Sequence, residues 1–78
     1  MNKVRVIKVE KGFYNFKLEQ LLFDKNISIN RLMRDTNTDF KVIKRIINGD
    51  VVRLDITVLA RICYYLECDI TDIFDYSR

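Results

Sequence analysis

The sequence contains no histidine, no tryptophan and no proline, and it has only two glycines and two cysteines among 78 residues. Without histidine, the chain lacks the commonest general base and the commonest metal ligand. It has no glycine-rich phosphate loop, and no serine or cysteine has a base at a recognisable spacing. We therefore expect neither an enzyme nor a protein with a cofactor or a small-molecule substrate.

The few candidate metal ligands have the wrong pattern. Cys63 and Cys68 are five residues apart on or near one helix, which is poor geometry for a disulfide, and no further cysteine completes a zinc site. Asp69, Asp72 and Asp75 recur at every third residue but lack the pattern of a calcium loop. We interpret the thiols as inert and the carboxylates as a solvated face, and we predict no metal site.

Long apolar runs are also absent. No stretch approaches the roughly 18–20 apolar residues that span a bilayer. The basic segment Met1–Lys11 lacks the apolar core and the cleavage site of a signal peptide. We expect a cytoplasmic protein that does not contact a membrane.

The net charge of +3 is unevenly distributed along the chain. Residues 1–53 carry twelve Lys and Arg against six Asp and Glu, whereas residues 54–78 carry two against five. A basic first part favours a face for a polyanion, and an acidic end favours separate contacts. Ordinary solvated charge is the alternative at this point.

The first sixteen residues predict a β extension. Lys3–Val9 is rich in β-branched residues, with charges at mostly alternate positions, as is typical of a strand. Glu10-Lys11-Gly12, read as a three-residue loop ending in a left-handed glycine, leads to the aromatic run Phe13–Phe16 and predicts a β-hairpin. A single strand with an irregular lead into the first helix is the alternative. We divide the chain into this extension, residues 1–16, and a helical domain, residues 17–78.

Helical spacing of apolar residues begins at Lys17 and predicts five short helices, hence an all-α domain behind the β extension. Ser28, Asp39 and Asp55 are expected to cap the starts of helices, and Asn26 is expected to end the first one. The last helix is predicted over about Thr71–Tyr76. The residues expected to be buried together are Leu21, Leu32, Ile43, Ile46, Leu59, Ile62 and Leu66.

The segment Ser28–Gly49 contains two short helices separated by three or four residues. Such a unit can lay its second helix in a major groove about 12 Å wide while the first helix crosses the backbone. The second helix, about Phe40–Ile47, has outward positions at Phe40, Lys41, Lys44 and Arg45. Lysine and arginine there can donate to guanine or to phosphate oxygens. A surface helix that happens to be basic is the alternative.

The runs Ser28–Leu32 and Ile43–Gly49 resemble the lambda-repressor-like (Xre) helix-turn-helix family, and "RIINGD" at Arg45–Asp50 is the most specific piece. Leu54–Phe74 looks like the same family's fourth and fifth helices, and the resemblance covers about Leu18–Tyr76. It implies a five-helix fold, double-stranded DNA as partner, and regulation of transcription by a homodimer on palindromic operators.

The resemblance also implies two sets of DNA contacts. The base-reading positions are Asp39, Phe40, Lys41 and Arg45. The phosphate-contacting positions are Ser28, Asn30, Lys44 and Asn48. Two of these remain open: Phe40 can meet a thymine methyl or pack on the hairpin aromatics, and Asp39 can accept from cytosine N4 or serve only as a cap.

The leading hypothesis is a sequence-specific transcriptional regulator, of the repressor type, that reads the major groove with Phe40–Ile47. The runner-up is a protein-interaction module on the same fold, such as an antitoxin or a mobile-element accessory protein. A homodimer is expected because Lys3–Val9 has apolar residues on both faces and a lone hairpin leaves unpaired edges. The acidic C-terminal end is the other candidate surface for the dimer.

Overall fold

The computed structural model describes residues 3–78, so Met1 and Asn2, the start of the predicted β extension, lie outside the described residues. The elements, in chain order, are β1 (Arg5–Val9), β2 (Gly12–Phe16), α1 (Leu18–Asp24), α2 (Ile29–Thr36), α3 (Phe40–Asn48), α4 (Ile56–Leu66), a 3-10 turn (Ile70–Asp72) and β3 (Phe74–Ser77). None of the helices in this range is long and apolar enough to cross a membrane.

The predicted all-α, five-helix fold is wrong. Residues 3–78 form four α-helices and a three-stranded antiparallel sheet of order β1-β2-β3. In place of a helix over Thr71–Tyr76, the chain pairs Phe74 with Phe16 and Tyr76 with Tyr14. The ring centroids of these pairs lie 5.8 and 5.2 Å apart. Pairing satisfies one edge of the hairpin and packs four aromatic rings, which outweighs the local helical spacing.

The hairpin itself is confirmed, but its turn differs from the prediction. Val9 pairs with Gly12, so the turn has two residues rather than three. The left-handed residue is Glu10, with φ of 55°. Gly12 is needed for another reason: a Cβ there would overlap the Tyr76 hydroxyl and lie 2.6 Å from the carbonyl oxygen of Ser77. A glycine therefore allows β3 to approach the hairpin.

The core combines all four helices with the inner face of the sheet. Its buried apolar residues are Phe16, Leu18, Leu22, Leu32, Ile43, Ile46, Ile47, Val58, Leu59, Ile62, Leu66 and Ile73. Six of the seven predicted core residues are among them. The seventh, Leu21, is half-buried at the core's edge, because α1 directs Leu18 and Leu22 inward.

The ends of the helices follow the predicted local chemistry. Ser28, Asp39 and Asp55 each accept a hydrogen bond from a backbone N–H two or three residues later, at 3.0, 3.0 and 2.8 Å. Asn26 and Gly49 adopt left-handed conformations with φ of 56° and 71° after α1 and α3. These side chains and turns satisfy backbone groups that a helix leaves unpaired at its ends.

One carboxylate fastens β3 to the start of α1. Asp75 accepts hydrogen bonds from the Lys17 ammonium at 2.8 Å and from the Asn15 amide at 2.7 Å. These two hydrogen bonds hold the pKa of Asp75 below its usual range, and the one from Lys17 has the larger effect. The backbone N–H of Lys17 also donates to the carbonyl oxygen of Ile73 at 2.7 Å. Asp75 is thus a structural ion-pair partner rather than part of a solvated helix face.

The two cysteines meet at the end of α4. Glu67 is left-handed, and the Cys68 N–H donates to the Cys63 carbonyl oxygen at 3.1 Å, in the pattern of a Schellman motif. Both thiols are free. Burial, together with the neighbouring Cys63, raises the pKa of Cys68 to about 11, which leaves its thiol protonated at neutral pH. Residues 3–78 contain no cluster of three or more side chains that could hold a metal ion.

Candidate nucleic-acid interface

Two helices and a tight turn form the candidate interface. α2 and α3 contact each other, and Leu32 of α2 and Ile43 of α3 are fully buried in the common core. Between them, Asn37 takes the left-handed conformation, with φ of 51° and ψ of 47°. The Thr38 N–H then donates to the Met33 carbonyl oxygen at 3.0 Å. Asparagine is one of the few non-glycine residues that adopt this backbone at low cost, so the helix-turn-helix closes without a glycine.

A buried pair of threonines braces the same turn. The Thr36 hydroxyl donates to the Leu32 carbonyl oxygen at 2.6 Å. The hydroxyl oxygens of Thr36 and Thr38 lie 2.9 Å apart. Both side chains are only 5% exposed. Buried hydroxyls are costly unless paired, so this network holds the end of α2 against the turn that leads to α3. Two polar residues beside a turn carry no sequence signal for burial, and the contact was not predicted.

One face of α3 is locked into the core. Ile43, Ile46 and Ile47 are 0%, 1% and 2% exposed. The opposite face carries polar residues at the spacing i, i+3, i+4 and i+7, which lie together on a helix. These are Lys41, Lys44, Arg45 and Asn48. Lys44 is half-buried and the other three are exposed.

The cations of this face are available for a partner. The ion pairs of the described residues join Lys17 to Asp75, and Arg31 and Arg34 to Asp35. The three cations of α3 belong to none of them. Because the apolar face of α3 is fully packed, the helix cannot rotate, and the basic face is held toward solvent.

The structure shows how Asp39 and Phe40, the two residues with open alternatives, are placed at the start of α3. Asp39 accepts from the Lys41 N–H at 3.0 Å and is the cap of α3. Phe40 is 44% exposed. Within residues 3–78, the aromatic rings of β2 contact Phe74 and Tyr76, and Phe40 has no ring contact. Phe40 therefore does not pack on the hairpin aromatics and is left facing solvent.

The remaining candidates lie at the start of α2. Ser28 accepts from the Arg31 N–H at 3.0 Å, which leaves its own hydroxyl proton to donate. Asn30 is exposed in the first turn. The candidate residues thus fall into two groups, one at the N-terminus of α2 and one along α3.

A network centred on Asp35 joins α2 to α4. Its carboxylate accepts from the Tyr65 hydroxyl at 2.6 Å and from Arg34 at 3.2 Å, with Arg31 at 3.7 Å. The Tyr65 hydroxyl, followed by Arg34, holds the pKa of Asp35 below its usual range. The same hydrogen bond raises the pKa of Tyr65. The i,i+4 spacing of Arg31 and Asp35 is visible in the sequence, but the partner on α4 is thirty residues away.

A further cation lies beside the end of α3. A shallow depression is lined by Arg45, Asp50, Val51, Val52 and Arg53. Arg53 is exposed in the segment between α3 and α4. It belongs to no helical pattern, so its position near Arg45 was not predicted.

Comparison with known proteins agrees with this geometry. Residues 17–78 match the family model described as a Cro/C1-type HTH DNA-binding domain, which confirms the predicted resemblance. Among solved structures, the chain is similar to the crystal structure of the transcriptional regulator VanUg. The TM-score is 0.65 and the identity 26%, over 99% of this chain and 91% of that chain. No curated protein matched.

Proposed function

Because the chain belongs to the Cro/C1-type helix-turn-helix DNA-binding family, we propose that it is a sequence-specific transcriptional regulator of the repressor type. In this proposal α3 enters the major groove and α2 crosses the phosphate backbone. The observation that carries it is the basic face of α3, which makes no ion pair within residues 3–78 and is held outward by Ile43, Ile46 and Ile47. The family and the solved regulator of similar fold support the same class of function.

Base reading falls to four residues of α3 and its cap: Asp39, Phe40, Lys41 and Arg45. Arg45 has a planar fork of donors that matches the O6 and N7 acceptors of guanine. The exposed ring of Phe40 suits the methyl group of thymine. Asp39 uses one carboxylate oxygen as the helix cap, and its other oxygen can accept from cytosine N4.

Phosphate contacts fall to Ser28, Asn30, Lys44 and Asn48. The Ser28 hydroxyl and the Asn30 amide are donors in the first turn of α2, where the helix dipole favours an anion. Lys44 is half-buried, so its stem packs on the protein while its ammonium reaches the backbone. These contacts fix the position of α3 without reading sequence.

The proposed partners follow from this mode of binding. We propose that the protein binds double-stranded DNA as a homodimer on a palindromic site, as two-fold symmetric readers do. We propose that it acts in the cytoplasm. It binds as a regulator and not as an enzyme, and it uses no cofactor, metal or small-molecule substrate.

The first experiment selects bound sites from a random DNA pool and measures affinity across a salt series. A DNA-binding regulator binds even random duplex weakly, and that affinity falls steeply as salt rises, because phosphate contacts release counterions. A partner-binding module on the same fold does not bind the random duplex, and the selection enriches no site.

Matched variants then separate reading from positioning. Arg45→Ala should relax preference at one base pair by about 1–3 kcal/mol. Lys44→Ala should weaken all sites alike and reduce the salt slope. Arg61→Ala removes an exposed cation from α4, outside the proposed interface, and serves as control. If Arg45→Ala leaves both affinity and preference unchanged, Arg45 does not read the site and α3 is not the reading element.

A further inference from the structure

The end of α4 brings the two cysteines of the chain together. Within a helix, side chains five residues apart point away from each other, but α4 ends at Leu66, between Cys63 and Cys68. Glu67 then takes the left-handed conformation, and the Cys68 N–H donates to the Cys63 carbonyl oxygen at 3.1 Å. In such a Schellman motif, the side chains on the two sides of the reversal commonly contact each other.

The separation of the two residues suits a disulfide. With the Cys68 nitrogen 3.1 Å from the Cys63 oxygen, covalent geometry holds their Cα atoms at most about 7 Å apart. A disulfide joins residues whose Cα atoms lie within about that distance. The thiols are also neighbours, because after burial the Cys63 side chain is the main cause of the raised pKa of Cys68. Both residues belong to one local motif, so a bond between their sulfurs requires no movement of one helix against another.

Both thiols are accessible to a small molecule. Cys63 and Cys68 are half-buried, and both line an open depression together with Thr36, Asn37 and Tyr64. We propose that Cys63 and Cys68 are a redox-sensitive pair, which a low-molecular-weight disulfide converts reversibly to an intrachain disulfide. Transient disulfides of this kind are the ones that form in a reducing compartment.

The reaction consists of two thiol–disulfide exchanges. Cys63 loses its proton and attacks one sulfur of the reagent RS–SR, so that a bond from Cys63 to SR forms and the reagent's S–S bond breaks to release RS⁻. Cys68 then loses its proton to solvent and attacks the Cys63 sulfur, which displaces the second RS⁻. The two RS⁻ take up the two protons, so two protein thiols are oxidised and one reagent disulfide is reduced. Cys63 attacks first, because the raised pKa of Cys68 leaves little of its thiolate at neutral pH.

The bond would tie α4 to the segment that carries the chain to β3. Cys68 is followed by the 3-10 turn and by Ile73, which is fully buried and whose carbonyl oxygen accepts from the Lys17 N–H. A disulfide restricts the unfolded chain, so the oxidised protein should be the more stable form. Neither cysteine belongs to the two proposed groups of DNA contacts, and the inference does not depend on the proposed function.

The test treats the folded full chain with excess hydroxyethyl disulfide at neutral pH and determines its intact mass. The wild type should become two hydrogen atoms lighter, with no reagent attached. After proteolytic cleavage at Glu67, the fragments on its two sides should stay joined until a reductant is added. A chain that stays reduced, that keeps the reagent on its cysteines, or that forms disulfides between chains would overturn the proposal.

Serine variants separate the roles of the two thiols. Cys68→Ser should stop at the mixed disulfide on Cys63, because no second thiol displaces the reagent. Cys63→Ser should react more slowly than Cys68→Ser, since the Cys68 thiol is protonated at neutral pH. Equal rates, or release of the reagent from Cys68→Ser, would contradict the proposal. Circular dichroism checks that both variants remain folded.

The part played by the fold is measured as the equilibrium constant for disulfide formation with the same reagent, in native buffer and in urea. The disulfide should be at least about tenfold more favourable in the folded chain than in the unfolded chain. By linkage, the oxidised chain should unfold at a higher urea concentration than the reduced chain. Equal constants would mean that the end of α4 does not hold the thiols together, and would overturn the proposal.

Discussion

Replacing Ile43 by alanine tests the packing on which the helix-turn-helix depends. Ile43 is in the middle of α3 and is 0% exposed, and it packs in the core together with Leu32 of α2. The substitution removes three carbon groups, which at about 0.8 kcal/mol each cost roughly 2.4 kcal/mol in transfer free energy. The cavity left between two braced helices adds to this, so we expect a loss of about 2–5 kcal/mol.

The assay is urea unfolding followed by far-ultraviolet circular dichroism, since the chain has no tryptophan. Ile56→Ala is the matched control, because the same groups are removed from a side chain that is 80% exposed at the start of α4. Its free energy of unfolding should stay within about 0.5 kcal/mol of the wild type. A loss below that value for Ile43→Ala would mean that the proposed register of α3 is wrong.

Substitutions at three further positions test single contacts by the same unfolding assay. Gly12→Ala should destabilise the protein by roughly 1–3 kcal/mol, because the methyl group overlaps the Tyr76 hydroxyl; wild-type stability would contradict the close approach of β3. Asp39→Ala should cost about 1 kcal/mol and Asp39→Asn much less, since asparagine keeps the acceptor; equal losses would exclude the cap. The lowered pKa of Asp75 means that its ion pair stabilises the fold above about pH 3.9 and is lost as the pH falls through the folded-state pKa. Lys17→Met should therefore flatten the acid-side fall in stability, and an unchanged pH profile would contradict that.

Local features of the fold were predictable because their causes lie within a few residues. Ser28, Asp39 and Asp55 act on N–H groups two or three positions away, and Asn26 and Gly49 need only their own backbone freedom. The spacing of the apolar residues likewise predicted α1 to α4 and most of the core. The turn of the hairpin was misjudged because Glu10 accepts a left-handed conformation that the sequence suggested for Gly12.

The third strand was missed because its partner is distant in the chain. Over Ile73–Tyr76, helical spacing and strand alternation both fit so short a run. What decides between them is the pairing of Phe74 and Tyr76 with β2, about sixty residues earlier. Long-range pairing of this kind overrides local preference, and no pattern within the last helix-like segment reports it.

The candidate interface, like the fold, was predictable where its cause lies within a few residues. The basic face of α3 follows from helical spacing, and no ion pair among the described residues involves it. The bracing contacts were not predictable. Polar residues beside a turn, such as Thr36 and Thr38, are ordinarily solvated, and the Asp35–Tyr65 bond joins two helices thirty residues apart. The roles of individual residues toward bases and phosphates stay predictions.

We propose above all that Arg45 reads a guanine in the major groove. The most direct test measures binding to the selected duplex when that guanine is replaced by 7-deazaguanine, which removes the N7 acceptor and keeps Watson–Crick pairing. A bidentate contact to guanine is worth about 1–3 kcal/mol. The wild type should lose part of that binding free energy on the substituted duplex, whereas Arg45→Ala should bind both duplexes equally. An unchanged wild-type affinity, or an equal loss in both proteins, would contradict the claim.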